Sequence, residues 1–116
     1  MTETSIKYYF NSTGPRGVIP LALEFRWYRD NMWEIGYGLL EGDGSISYMG
    51  VTNNGDAHRI LGFVSDKIQL FLEETPGAMV VMIGITPARD RLFRRITSSY
   101  PSQVSSRIIA YESPNQ

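Results

Sequence analysis

The most constraining feature of this chain is a change of period. From Val18 to Tyr28, Ile19, Leu21, Leu23, Phe25 and Trp27 fall on one face with Glu24 and Arg26 on the other. Trp33, Ile35, Tyr37 and Leu39 then alternate again, opposite Glu34, Gly36 and Gly38. Period two is the signature of strands with one buried face. After Thr52-Asn-Asn-Gly-Asp56 the spacing changes: Ala57, Ile60, Leu61, Val64, Ile68, Phe71 and Leu72 recur at helical intervals. A chain whose first half is sheet and whose second half brings in helices must join them through that polar segment.

The remaining elements follow from local chemistry. Ile6–Phe10 reads as a short strand, followed by a turn at Asn11–Gly17 that packs two glycines and a proline. Pro20 marks the start of the next strand as an edge or a bulge. The glycine pair at 36 and 38 flattens one face and admits something packed closely against it. Glu41-Gly-Asp-Gly-Ser45 is a hairpin signal, with Ile46–Val51 as its returning strand. An Asn caps the first helix and Asp56 suits its positive end, while Thr75-Pro-Gly77 stops it. Ala78–Ile85, apolar and rich in valine and isoleucine, is a buried strand. Thr86 as N-cap with Pro87 at the first helical position opens a second helix to about Ser99, and Val104–Tyr111 closes the sheet. The expected fold is α+β, β-β-β-β-α-β-α-β. It is a curved, mostly antiparallel sheet with two helices on one face, a single domain over 1–112 and a disordered tail at 113–116.

Composition narrows function. The 116 residues include no cysteine and one histidine, His58, which removes disulfides, thiolate zinc sites, cysteine nucleophiles and paired-histidine metal motifs. No metal or cofactor is expected. Eleven Lys+Arg against twelve Asp+Glu exclude a globally basic nucleic-acid binder but not a local basic patch. The N-terminus lacks the pattern of a signal peptide, and the longest apolar run, Ala78–Ile85, is too short to span a bilayer, so a cytoplasmic protein without membrane contact is expected.

The second helix is the most informative segment. Ala88, Leu92, Phe93, Ile96 and Tyr100 form one arc, and Arg91, Arg94, Arg95 and Ser98 the opposite one. Between Thr86 and Arg107 stand five arginines and one acidic residue, Asp90. Such a face contacts phosphates or an acidic partner, or is simply solvated. Arg89 projects into the apolar arc, where a cation needs a partner, and Asp56 is the expected one. Asn53 and Asn54 either read a ligand or cap the helix, capping being the simpler role. His58 has no Ser, Cys or Asp spaced to form a triad with it.

Three segments resemble a known family. Gly14-Pro-Arg-Gly-Val-Ile19, Val51-Thr-Asn-Asn-Gly-Asp56 and Gly84-Ile-Thr-Pro-Ala-Arg89-Asp-Arg91-Leu-Phe-Arg94 are similar to the motifs of a small bacterial family found chiefly in Bacteroidota, a domain of unknown function (DUF6934). This chain departs from the family pattern at Ile85, Asp90 and Phe93, where Ser, Thr and Tyr are usual. The resemblance carries no activity. It implies that Asn53–Asp56 and Thr86–Arg94 are special and meet in space. The expected site is therefore a ligand or anion pocket of Asn53, Asn54, Asp56, Thr86, Arg89 and Arg91, with a basic patch of Arg91, Arg94 and Arg95. The expected role is an interaction module with a protein partner, such as one member of a toxin–antitoxin or phage-defence pair, rather than an enzyme. Alternatives are a metal-independent RNA-cleaving toxin, or nucleic-acid binding through the arginine face. A homodimer stays open.

Overall fold

The computed structural model describes residues 4–48, 54–84 and 87–112, the side chains of 83–89 and 110–112 excepted. Strands β1 (Ser5–Gly14), β2 (Gly17–Arg29), β3 (Met32–Leu40) and β4 (Ile46–Ser47) precede helix α1 (Ala57–Glu74). Strand β5 (Met79–Gly84), helix α2 (Pro87–Ser98), the short helix α3 (Ser102–Ser105) and strand β6 (Ile108–Glu112) follow. The sheet has six strands in the order β1-β2-β3-β5-β6, with β4 paired to β3 beside that path. This is the expected α+β class and element order, with α3 added.

The meander β1-β2-β3-β4 is antiparallel, whereas β3–β5 and β5–β6 are parallel. Parallel neighbours cannot be joined by a hairpin and need a crossover. The segments containing α1 and α2 are those crossovers. Both step across the sheet in the same direction, so one handedness puts both helices on the same face.

That face is the core. Cross-strand register aligns Leu23 with Tyr37, Phe25 with Ile35 and Ile35 with Met82, so the alternating residues of three strands form one apolar surface. Ile60, Val64, Ile68, Phe71 and Leu72 of α1 and Phe93 and Ile96 of α2 close over it. Phe71 stacks on Phe25 at 4.3 Å between ring centroids and meets Trp33 edge-on at 5.0 Å. Tyr37 meets Phe93 edge-on at 6.4 Å. Each fully buried side chain of this size contributes roughly 1.5–3 kcal/mol relative to exposure.

Several local expectations shift. β1 continues beyond Phe10 to Gly14, so the turn tightens to Pro15-Arg16. Pro20 opposes Asn11 on β1, and the β2–β3 register begins only at Leu21, so its missing N–H faces a side with no strand. The bulge lies instead between Trp27 and Arg29. Val104 belongs to α3, and the closing strand begins at Ile108. The glycines at 36 and 38 do admit a close neighbour: a Cβ at Gly36 would lie 2.6 Å from the Tyr48 ring, and one at Gly38 2.1 Å from the Ser47 carbonyl oxygen. The expected tail at 113–116 and the end of the returning strand at 49–51 lie outside the described residues.

Candidate functional site

The segment where the period changes folds back onto the first hairpin. Asn54 is 1% exposed and uses both ends of its amide. The Arg16 N–H donates to Asn54 Oδ1 at 2.7 Å, while Asn54 Nδ2 donates to the Gly17 carbonyl at 2.9 Å and to Ser12 Oγ at 3.2 Å. Ser12 Oγ in turn donates to Asp56 Oδ1 at 2.9 Å, and the Thr13 N–H donates to Asp56 Oδ2 at 2.8 Å. Arg59 donates to the Thr13 hydroxyl. The backbone approaches just as closely, since a Cβ on Gly14 would fall 1.8 Å from the Asn54 carbonyl oxygen.

These bonds give two of the expected site residues a defined role. Asp56 occupies the N-cap position of α1 but makes no side-chain cap bond, because its carboxylate is turned to Ser12 and Thr13. Asn54 likewise ties the β1–β2 turn instead of capping the helix. The Gly14–Gly17 motif and the Asn54–Asp56 motif therefore meet, and among the described residues no hydrogen bond from Asn54 or Asp56 runs to α2. Asn53, Thr86 and the Arg89 side chain, with the expected Asp56–Arg89 pair, lie outside the described residues and side chains.

Beside this latch, a groove of about 360 Å³ runs between β1 and the first turns of α1, lined by Phe10, Asn11, His58, Arg59, Phe63 and Asp66 among others. Two of its lining residues, Phe10 and Phe63, stack at 4.0 Å between centroids. The Lys67 ammonium lies 5.1 Å from the Tyr8 ring centroid and 5.4 Å from that of Phe63. His58 is thus an exposed rim residue of this groove.

The arginine arc of α2 is exposed as the spacing implied. Arg91, Arg94 and Arg95 face outward while Phe93 and Ile96 are buried beneath them. Arg94 Nε pairs with Asp90 Oδ2 at 2.9 Å, one turn earlier. Arg91 and Arg95 carry no ion pair among the described residues. Arg107, part of the same local excess of charge, serves elsewhere. Its guanidinium donates to the Thr75 and Ala78 carbonyls at 2.9 and 3.0 Å, where α1 ends. A cation is favoured there by the helix dipole.

One polar cluster escaped sequence reasoning. On the sheet face away from the helices, Ser5 Oγ and Tyr48 Oη donate to the two oxygens of Glu24, at 2.6 and 2.8 Å. Partial burial pushes the Glu24 carboxyl up, but the two hydrogen bonds together with Arg26 and Lys7 outweigh it, leaving it below its ordinary value. Burial, then the bond to Glu24, raises the Tyr48 phenol to about 12. The signal available in sequence was the Gly36/Gly38 pair, which announces a close neighbour without naming it.

Among the described residues no group of three or more His, Asp or Glu gathers in a way that could hold a metal ion. No described helix is long and apolar enough to cross a membrane. The chain belongs to a family of unknown function (DUF6934), whose model matches residues 1–115. No curated protein and no solved structure matches it.

Proposed function

We propose that the protein is an interaction module of the cytoplasm that binds an acidic surface of a partner protein through the outer face of α2. One observation carries this reading: Arg91 and Arg95 stand a turn apart, exposed and without ion pairs among the described residues, on a helix whose other face is fixed in the core by Phe93 and Ile96. Arginine on a rigid element is suited to bidentate recognition of carboxylates.

Magnitude favours a protein over a nucleic acid. With Arg94 held by Asp90 and Arg107 spent on the end of α1, the two arginines left among the described side chains of this segment neutralise about two phosphates. Affinity then falls only about tenfold between 50 and 200 mM salt, far from the roughly 10³–10⁵ of a binder making many phosphate contacts. A small domain acting by contact fits one half of a two-protein system, a toxin–antitoxin or phage-defence pair included.

The test is co-purification from the native host, with and without nuclease, using the wild type and the Arg91→Glu/Arg95→Glu variant. An acidic protein recovered in stoichiometric amount, nuclease-resistant and lost with the variant, is the expected result. Recovery of nucleic acid, cleavage of added RNA, or capture unchanged by the double reversal would each overturn the reading.

A further inference from the structure

Strand β1 ends the sheet on one side, and its outer edge is closed at one end and open along the rest of its described length. The Trp27 N–H donates to the Thr4 carbonyl at 2.9 Å. Thr4 and the even-numbered residues after it therefore aim their backbone groups at β2, while Ser5, Lys7, Tyr9, Asn11 and Thr13 aim theirs outward. The outward N–H of Thr13 is already given to Asp56 at 2.8 Å, and Arg59 holds the Thr13 hydroxyl. The start of α1 thus closes the edge at that point. Ser5, Lys7, Tyr9 and Asn11 remain, all exposed, with no strand against their outward backbone groups among the described residues. The β1–β2 register runs from Ser5↔Arg26 to Gly14↔Gly17 without a shift, and β1 contains no proline. Of the devices that blunt an edge strand, it has one charge, Lys7.

We propose that β1 pairs with β1 of a second copy of this chain, antiparallel, about a two-fold axis through Tyr8. An identical strand on a two-fold axis is self-complementary. With Ser5 opposite Asn11 and Lys7 opposite Tyr9 of the second copy, all four open residues of each strand are used. None of those held by β2 or Asp56 is needed. Two hydrogen bonds per bonded pair give about eight across the interface. Centring the axis on Tyr9 instead would call on Thr13, whose N–H is committed.

The side chains agree with that choice. On the face away from the helices, Lys7 lies against the Tyr9 ring of the second copy, a favourable cation–aromatic contact, and the two lysines do not face each other. Tyr9 is 60% exposed in the single chain, the largest apolar excess on this strand. On the helix face, half-buried Ile6, Tyr8 and Phe10 meet Phe10, Tyr8 and Ile6 of the second copy. Ile6 of the second copy then seats beside the open groove over Phe10 and Phe63.

Because the chain has no cysteine, one introduced thiol reports the register. The wild type is expected to sediment at twice its 13.1 kDa chain mass. Tyr8→Cys, facing itself at a non-hydrogen-bonded pair, forms an intermolecular disulfide under mild oxidation, and Tyr9→Cys does not. Should Tyr8→Cys fail to fold, Lys7→Cys chains mixed with Tyr9→Cys chains cross-link to each other in preference to themselves. Tyr9→Pro removes an outward N–H while leaving the β2 ladder intact, and yields a monomer with unchanged far-ultraviolet circular dichroism. A wild type at monomer mass, a dimer that survives Tyr9→Pro, larger open assemblies, or self-cross-linking through position 9 would each overturn the proposal.

Discussion

Replacing Asn54 by alanine removes three hydrogen bonds at once: from Arg16 N–H at 2.7 Å, to Gly17 O at 2.9 Å and to Ser12 Oγ at 3.2 Å. Each neutral bond contributes about 1 kcal/mol net, and partners left buried without a replacement add to the loss. Arg16 and Gly17 are exposed and regain water, and Ser12 keeps its bond to Asp56, so the loss stays near the simple sum. The expected cost is about 2–3 kcal/mol. For a chain of this length that is a fall in Tm of roughly 10 °C, read by calorimetry or circular dichroism. A fall below about 2 °C would show that the latch does not hold the hairpin to α1. Asn54→Asp sharpens the test. It keeps the acceptor for Arg16 but sets a carboxylate oxygen against the Gly17 carbonyl in a buried place, which raises that carboxyl's pKa. A raised folded pKa means stability present at low pH and lost as pH rises through it. The Asn54→Asp deficit relative to wild type is therefore smaller in mild acid than at neutral pH. A deficit independent of pH would refute the placement of that amide.

The Glu24–Tyr48 pair has its own pH signature. The Tyr48 phenol is raised from 10.0 to about 12, so its contribution is complete below pH 10 and disappears as pH rises toward 12. The full shift corresponds to about 2.7 kcal/mol, reduced to about 1 kcal/mol for a group this open to solvent. Glu24, held below its ordinary value, contributes above that value and loses its contribution in acid. Urea titrations of wild type and Tyr48→Phe should differ most between these limits and converge in alkali; a constant difference would contradict the assignment. Gly38→Ala pushes a methyl group into the Ser47 carbonyl and costs about 1–3 kcal/mol, while Gly42→Ala, with open space around it, is tolerated. Equal stability of the two variants would refute the close approach of the Ser47 carbonyl to Gly38.

Period and turn chemistry made the elements legible, because each depends on neighbours within a few residues. Leu21, Leu23 and Phe25 face the core as their alternation demands, and Phe93 and Ile96 lie beneath the arginine arc as helical spacing requires. Sequence does not show which strands become neighbours. The β3–β5 and β5–β6 pairs are parallel because crossovers return the chain in the same direction, and periodicity is the same for either direction. The site was legible only as a set of unusual segments. That Asn54 and Asp56 close on Ser12, Thr13 and the Gly14–Gly17 turn depends on contacts some forty residues apart. Local rules assign an Asn-Gly-Asp segment ahead of a helix to capping, and here tertiary hydrogen bonds outcompete that role. Arg107 shows the same limit: its charge counted toward the local excess between Thr86 and Arg107, while its guanidinium serves the Thr75 carbonyl at the end of α1 and the Ala78 carbonyl before β5.

Asp56 links the two halves of the fold in a way that bears on what the surface offers. By accepting from Ser12 it fixes the buried end of β1, and by accepting from Thr13 it uses the next outward N–H of that strand. The carboxylate that could have capped α1 thus terminates a sheet edge, and the helix begins without a side-chain cap. A lost cap costs about 1 kcal/mol. Two charge-assisted bonds to the hairpin offset that, at roughly 1.5–3 kcal/mol each before solvent screening. The exchange favours the hairpin, and it closes the open edge of β1 at Thr13. An edge stopped at Thr13 excludes the registers that would need that N–H, where an unrestricted edge would admit them and invite aggregation.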